Sequence, residues 1–283
     1  QELIEVILVD RAHKISRGEG TLREKFDAII ALTAKIPNLN IRTSESMDKQ
    51  QYSTPAPLAY AVSIMSGVAE SVDGEQPTIY EPTAGNGMLL IGSDRDGSFV
   101  NELDPNRVKN LKSAGFGTVT NKNILTDTPT NDIFEVVVAN PPFGKHGMLS
   151  NIDQIILKKS MERLEDDGTA VFIISGDQTK RVGNISTSDQ KFFRELTKKY
   201  NVTDVFEVGG NLYKSQGTTY PVRVIKIEGK TPTSDETRLS WLRSGDGLDT
   251  HVDRFTTWDE VYERSTRKTV VSEPSGDESL IKD

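Results

Sequence analysis

The chain has 283 residues and a formal net charge of −8, long enough for one large domain or one domain with an appendage, and either can bury a sizeable core. Hydrophobic residues make up 35% and charged residues 27%, an ordinary globular balance that excludes collagen-like, mucin-like and wholly disordered chains. Cysteine is absent, which removes disulfides, thiolate metal sites and every mechanism built on a cysteine nucleophile.

The opening apolar run, Ile4 to Val9, is far shorter than the roughly 18 residues of a membrane span and is flanked by Glu2, Glu5 and Asp10. A soluble, cytoplasmic protein is expected, and a start at Gln1 rather than Met suggests a piece of something longer. From Thr21 to Lys35 apolar residues recur at helical spacing and stop before Pro37. Gln51-Tyr52-Ser53-Thr54-Pro55 reads as extended, because a residue before proline avoids the α region. Helical spacing then resumes from Leu58 to Val68, and Asp73-Gly74 predicts a turn.

Beyond that turn the pattern alternates. Strand Thr78 to Glu81 leads into a glycine turn and a helix, followed by strand Ser98 to Glu102, helix Pro105 to Ser113, strand Thr118 to Asn121 and strand Phe134 to Ala139. Helix Ile152 to Leu164, strand Ala170 to Ile174, helix Asp189 to Tyr200 and strand Val202 to Val208 continue it. Val222 to Ile227 comes next, and is expected to pair antiparallel with its predecessor at the sheet edge. The class predicted is α/β, a Rossmann-like, mostly parallel sheet with one antiparallel edge strand and helices on both faces. Three regions are expected: an N-terminal helical extension over 1–47, the main domain over 48–230, and over 231–283 a polar stretch holding Trp241 and Trp258, read as an appendage or the start of a missing region.

Chemistry concentrates in two turns. Glu81-Pro82-Thr83-Ala84-Gly85-Asn86-Gly87-Met88 leads out of the first strand, and its glycines let backbone approach a ligand closely. Glu102 ends the next strand, where a carboxylate can accept from both ribose hydroxyls of an adenosine-type cofactor. A full G-x-G-x-x-G is missing, and Glu81 would repel a pyrophosphate. A zwitterionic amino-acid tail suits the loop better, so the cofactor inferred is S-adenosylmethionine rather than NAD.

The second turn, Asn140-Pro141-Pro142-Phe143, ends the strand Phe134 to Ala139. Its prolines stiffen the chain and remove two backbone donors, leaving carbonyls to accept from a ligand. An exocyclic amine on a conjugated ring is a poor nucleophile because its lone pair is delocalised. Hydrogen bonds from its N–H groups to the Asn140 side-chain oxygen and the Pro141 carbonyl would localise that pair toward a methyl donor. Phe143 would stack on the base.

Taken in this order, Gln51 to Pro55, Glu81 to Met88, Asn101-Glu102-Leu103-Asp104-Pro105 and Asn140 to Phe143 strongly resemble the adenine-N6 DNA methyltransferases of the gamma arrangement. The resemblance covers roughly Asp48 to Gly229. It implies methyl transfer from S-adenosylmethionine to adenine in DNA, by base flipping, and a place in restriction-modification. Asn140, Pro141, Pro142 and Phe143 inherit the catalytic turn. Tyr52, Ser53 and Thr54 inherit contact with the methionine end of the cofactor, together with Glu81, Thr83, Ala84, Gly85 and Gly87. Glu102 inherits the ribose and Leu103 the adenine. The family's acidic residue and aromatic after the third strand are replaced by Asn123-Ile124. Tyr213 and Tyr220 are candidates for a second clamp on the flipped base, although packing is the first expectation for each; Lys145 and His146 could approach phosphate, although a lone His is more often a bystander.

Cytosine C5 methylation is excluded, since it needs a cysteine. Cytosine N4 methylation uses the same amine chemistry, but its enzymes usually carry Ser at the position of Asn140. Methylation of RNA or of a protein glutamine, and a degenerate domain kept as an interaction module, remain open alternatives. The charge runs −6 over residues 1–140, +3 over 141–230 and −5 over 231–283. DNA binding by this chain alone is therefore expected to be weak, with specificity supplied by further domains or a partner.

Overall fold

A computed structural model describes residues 2–36, 53–71, 75–126, 132–143, 151–176, 185–216, 219–245 and 248–267. Gln51, Tyr52, the Asp73-Gly74 turn, Gly144, Lys145 and His146 lie outside the described residues.

Helices α1 (Glu2–Ser16) and α2 (Leu22–Ala34) open the chain. The second starts on a capping box, in which the Thr21 hydroxyl accepts from the Glu24 N–H and the Glu24 carboxylate accepts from the Thr21 N–H. Helix α3 (Ala56–Met65) is apolar all round, and every one of its residues is buried, as such a helix requires. Then come β1 (Ile79–Glu81), β2 (Ser98–Asn101), α4 (Pro105–Ser113), β3 (Thr118–Thr120), β4 (Phe134–Ala139), α5 (Ile152–Met161), β5 (Leu164–Ser175), α6 (Thr187–Thr197), β6 (Val202–Val208) and β7 (Val222–Glu228). The chain closes with α7 (Asp235–Trp241), the pair β8 (Arg243–Gly245) and β9 (Leu248–His251), β10 (Arg254–Phe255) and α8 (Trp258–Ser265).

Eight strands form one sheet in the order β10-β6-β7-β5-β4-β1-β2-β3, and β7 alone among them runs antiparallel to its neighbours. Alternation along β4 shows how the sheet is covered. Val136 and Val138 face a core shared with Leu8, Phe26, Tyr60 and Val261, whereas Val137 and Ala139 face one shared with Leu157, Phe192 and Trp241. The chain leaves β1 outward through β2 and β3, then returns to β4 on the other side of β1. At such a switch point the connections diverge and leave a crevice beyond the carboxyl ends of the strands. The glycine turn and the Asn140 turn emerge there.

Three expectations change. Between the glycine turn and β2 there is no α-helix, only a 3-10 turn at Met88–Leu90. The space is taken by α3, whose Ser63 sits where a Cβ on Gly92 would fall, 2.6 Å away. The antiparallel strand pairs with β6 as expected but also with β5, so it stands inside the sheet. Residues 222–225 are buried without a break, the pattern of an interior strand rather than a rim.

Of the stretch from Thr231, read as an appendage, the described residues 231–245 and 248–267 pack against the body. Strand β10 extends the sheet beside β6, the indole N–H of buried Trp241 donates to the Val202 carbonyl at 3.0 Å, and Val261 is fully buried. Two of its arginines pair with carboxylates of β6. Arg254 and Arg223 both hold the fully buried Glu207, at 2.6 and 2.8 Å, and Arg264 Nε meets Asp204 Oδ2 at 2.9 Å. Composition alone does not reveal this, because Arg254 and Arg264 meet Glu207 and Asp204 of β6 while others, such as Asp235 and Asp259, stay largely exposed.

Candidate active site

A cavity of about 230 Å³ occupies the crevice beyond β1 and β4. Ser53, Thr54, Glu81, Thr83, Ala84, Gly85, Glu102, Leu103, Asn123, Ile124, Asn140, Pro141, Pro142 and Phe143 all line it. Of the expected site residues, Tyr52 lies outside the described residues, and Gly87 does not line the cavity. Gly87 serves the turn instead. Its φ is 85°, and a Cβ there would lie 2.7 Å from the Phe116 ring.

Glu102 is bound into the loop. Its Oε2 accepts from the Gly85 N–H at 2.7 Å and its Oε1 from the Asp104 N–H at 2.8 Å. Burial pushes its carboxyl above the usual range, against the pull of those two backbone bonds and of Arg107. Each carboxylate oxygen keeps a further lone pair for a ligand. The neighbouring Asn101 ties the turns together. Its amide donates to the Pro82 and Lys122 carbonyls, both at 3.0 Å, and accepts from the Thr120 hydroxyl at 2.8 Å.

Asn140 follows the last residue of β4, and Pro141 cannot donate to continue the ladder. The Asn140 Nδ2 donates to Thr54 Oγ1 at 2.8 Å, which fixes the amide plane. Its Oδ1 is shut off from solvent without a hydrogen-bond partner among the described residues. Glu81 Oε2 and Thr83 Oγ1 are in the same condition. Glu81 is 2% exposed, and burial, with the nearby Glu102 charge, holds its carboxyl well above the ordinary range. At the mouth, Leu103 leaves 59% of its apolar surface exposed. Phe143 is half-buried beside the Asn140 turn.

Sequence reasoning missed Glu5, Asn86 and Arg107, which also line the cavity. Arg107 Nη2 and Asn86 Nδ2 each donate to the Glu2 carboxylate at 2.8 Å, and Asn110 donates to Asn86 Oδ1 at 2.9 Å. These partners are separated by up to 105 positions, so nothing local in the sequence announces them. Tyr213 is fully buried and does not line the cavity, in keeping with packing, the role expected first for it, while Tyr220 is 53% exposed.

No family model matches the sequence, and no curated protein matches it. Solved structures do. A modification subunit of a putative type I restriction enzyme from Vibrio vulnificus is 15% identical with a TM-score of 0.51, over 76% of this chain and 51% of that one. A chain of a type I restriction-modification system is 17% identical with a TM-score of 0.50, over 86% and 53%. A putative class I S-adenosylmethionine-dependent methyltransferase from Listeria monocytogenes is 12% identical with a TM-score of 0.49, over 87% and 79%. The eight-stranded α/β fold is shared with that modification subunit. The chain spans about half the length of the first two structures.

The electrostatics of Glu81 give a testable pH dependence. A carboxyl whose folded pKa is raised costs nothing while protonated, and destabilises the folded state progressively as pH climbs from its unfolded value through the folded one. Glutamine mimics the protonated form. Glu81→Gln is therefore expected to raise the urea midpoint of the ligand-free protein more at pH 8 than at pH 5. An equal shift at both pH values would show that Glu81 is not held protonated by its surroundings.

Proposed function

We propose that the chain transfers a methyl group from S-adenosylmethionine to the N6 amine of adenine in DNA. The observation that carries this reading is Asn140 Oδ1, a buried acceptor without a partner among the described residues, at the end of a central strand and on the wall of the cavity. The rest of the wall fits the cofactor. Glu81, the unpartnered Thr83 hydroxyl and the Gly85 backbone suit an amino-acid tail, Glu102 suits ribose hydroxyls, and exposed Leu103 suits an aromatic base.

When bound, S-adenosylmethionine supplies an electrophilic methyl group on a sulfonium. The chain's own part is to hold the acceptor amine. Thr54 orients the Asn140 amide so that its oxygen, not its NH2, is left for the substrate. An amine N–H donating to that oxygen loses conjugation with its ring and gains nucleophilicity, so no prior deprotonation is needed. Phe143 offers an aromatic face beside the amine, a contact worth about 1 to 3 kcal/mol by alanine substitution in single-strand binders. Asn123 Oδ1 already accepts from the Leu125 N–H at 3.0 Å, which leaves its NH2 to donate to a ring nitrogen of the cofactor adenine.

A duplex-buried adenine must be extruded to reach the cavity, at a cost of a few kcal/mol that falls when the base is mismatched or unpaired. With a charge of only +3 over residues 141–230, phosphate contacts offset little of this. The expected result is faster methylation of single-stranded or mismatched adenine than of perfect duplex, and a steep loss of rate on either with added salt. Matched oligonucleotides at two salt concentrations measure it. A sequence-selective, salt-insensitive rate on perfect duplex would instead assign target recognition to this chain.

A further inference from the structure

We propose that helix α1 completes the cofactor pocket, with Glu5 as a second carboxylate, beside Glu81, for the ammonium group of the cofactor's amino-acid end. The proposal rests on S-adenosylmethionine being the ligand of this cavity.

Glu5 is 4% exposed and lines the cavity, yet its Oε2 has no hydrogen-bond partner among the described residues. Helix α1 could have buried an apolar residue there, as it does at Leu8, Val9 and Ala12. An unpaired buried carboxylate is costly unless a cation or donor meets it. Arg107, the cation nearby, does not do so fully. It gives its Nη2 and Nε to Glu2, and burial still raises the Glu5 carboxyl despite the attraction of Arg107. Glu5, Glu81 and Glu102 thus converge on one cavity, and two of them have an oxygen left over. A ligand bearing positive charge relieves both.

Position selects which part of the ligand Glu5 meets. The groups that hydrogen-bond toward it are Ser53 and Asn86, on the segment before α3 and on the glycine turn. Leu103, Asn123 and Ile124, which suit the adenine, belong to other segments of the wall, the loops after β2 and β3. An ammonium carries three N–H donors, more than the single free oxygen of Glu81 absorbs. The first turn of α1 is also anchored for this task, since Glu2 is held by both Asn86 of the turn and Arg107 of α4. Further along, His13 Nδ1 and the Ser16 hydroxyl both bond the Ile91 carbonyl just past the turn. The helix is therefore fixed on the glycine loop at two places and presents Glu5 between them.

Calorimetric titration separates this role from a structural one. S-adenosylmethionine, S-adenosylhomocysteine, which keeps the amino-acid end but is neutral at sulfur and is expected to lose affinity as S-adenosylmethionine does, and 5′-methylthioadenosine, which is neutral at sulfur and lacks the amino-acid end, are titrated into the full chain, wild type and Glu5→Gln. Loss of a charged hydrogen bond is expected to weaken S-adenosylmethionine binding by about tenfold or more, with methylthioadenosine affinity held within about twofold. Glu5→Asp, which keeps the charge but withdraws it, is expected to fall between the two. Unchanged S-adenosylmethionine or S-adenosylhomocysteine affinity in Glu5→Gln, or an equal loss for all three ligands, overturns the proposal while leaving the cofactor assignment standing. A wild type that binds methylthioadenosine no more weakly than S-adenosylhomocysteine would overturn amino-acid recognition by both carboxylates. A folded wild type that binds none of the three ligands would overturn the cofactor assignment itself.

Discussion

Asn140→Ala is expected to lower turnover by about 10² to 10³, equivalent to about 2.7 to 4 kcal/mol, the usual loss when one preorganised polar contact to a transition state is removed. Cofactor affinity should stay within a few fold. The unpaired Oδ1 offers the substrate amine an acceptor whose amide plane is set by the bond to Thr54. Asn140→Asp tests the same point differently, because it keeps an acceptor but loses the NH2 that donates to Thr54. Single-turnover rates alongside calorimetry separate the two effects. Full turnover in Asn140→Ala would remove amine activation by this residue from the mechanism.

Glu102→Ala is expected to weaken S-adenosylmethionine binding by two charge-assisted hydrogen bonds, on the order of 1.5 to 3 kcal/mol each. Both carboxylate oxygens also accept backbone N–H groups, from Gly85 and Asp104, which nothing in the sequence suggests. Glu102→Gln cannot satisfy both, since one side of an amide would set its NH2 against an N–H. Glutamine is therefore expected to do little better than alanine, and urea unfolding should register the loosened loop in either variant. Glutamine at full affinity would mean that the loop, and not the acidic side chain, carries ribose recognition.

Much of the site was legible in the sequence because its parts are local. Glu81 to Gly87, Glu102-Leu103 and Asn140 to Phe143 each sit on a short turn at a strand end, and strand periodicity alone brings those ends to one crevice. What escaped is the part that depends on distant packing. Helix α1 is weakly amphipathic, with Glu5 among its buried residues, so its pattern points to no ligand. The segment after Thr231 reads as solvated because Arg254 and Arg264 look like surface charges, although they meet Glu207 and Asp204. Tyr213, a tyrosine in a glycine-rich loop for which packing is the first expectation, belongs to the same buried core cluster as Phe206, Val222 and Val224.

The central claim concerns the acceptor atom, and product identification tests it most directly. The protein is incubated with S-adenosylmethionine labelled in its methyl group together with DNA, RNA and protein acceptors, which are then separated, hydrolysed and resolved. The account predicts label in DNA, recovered as N6-methyladenine, and its loss with Asn140→Ala. Label recovered on a glutamine side chain, in RNA, or on a cytosine would contradict it.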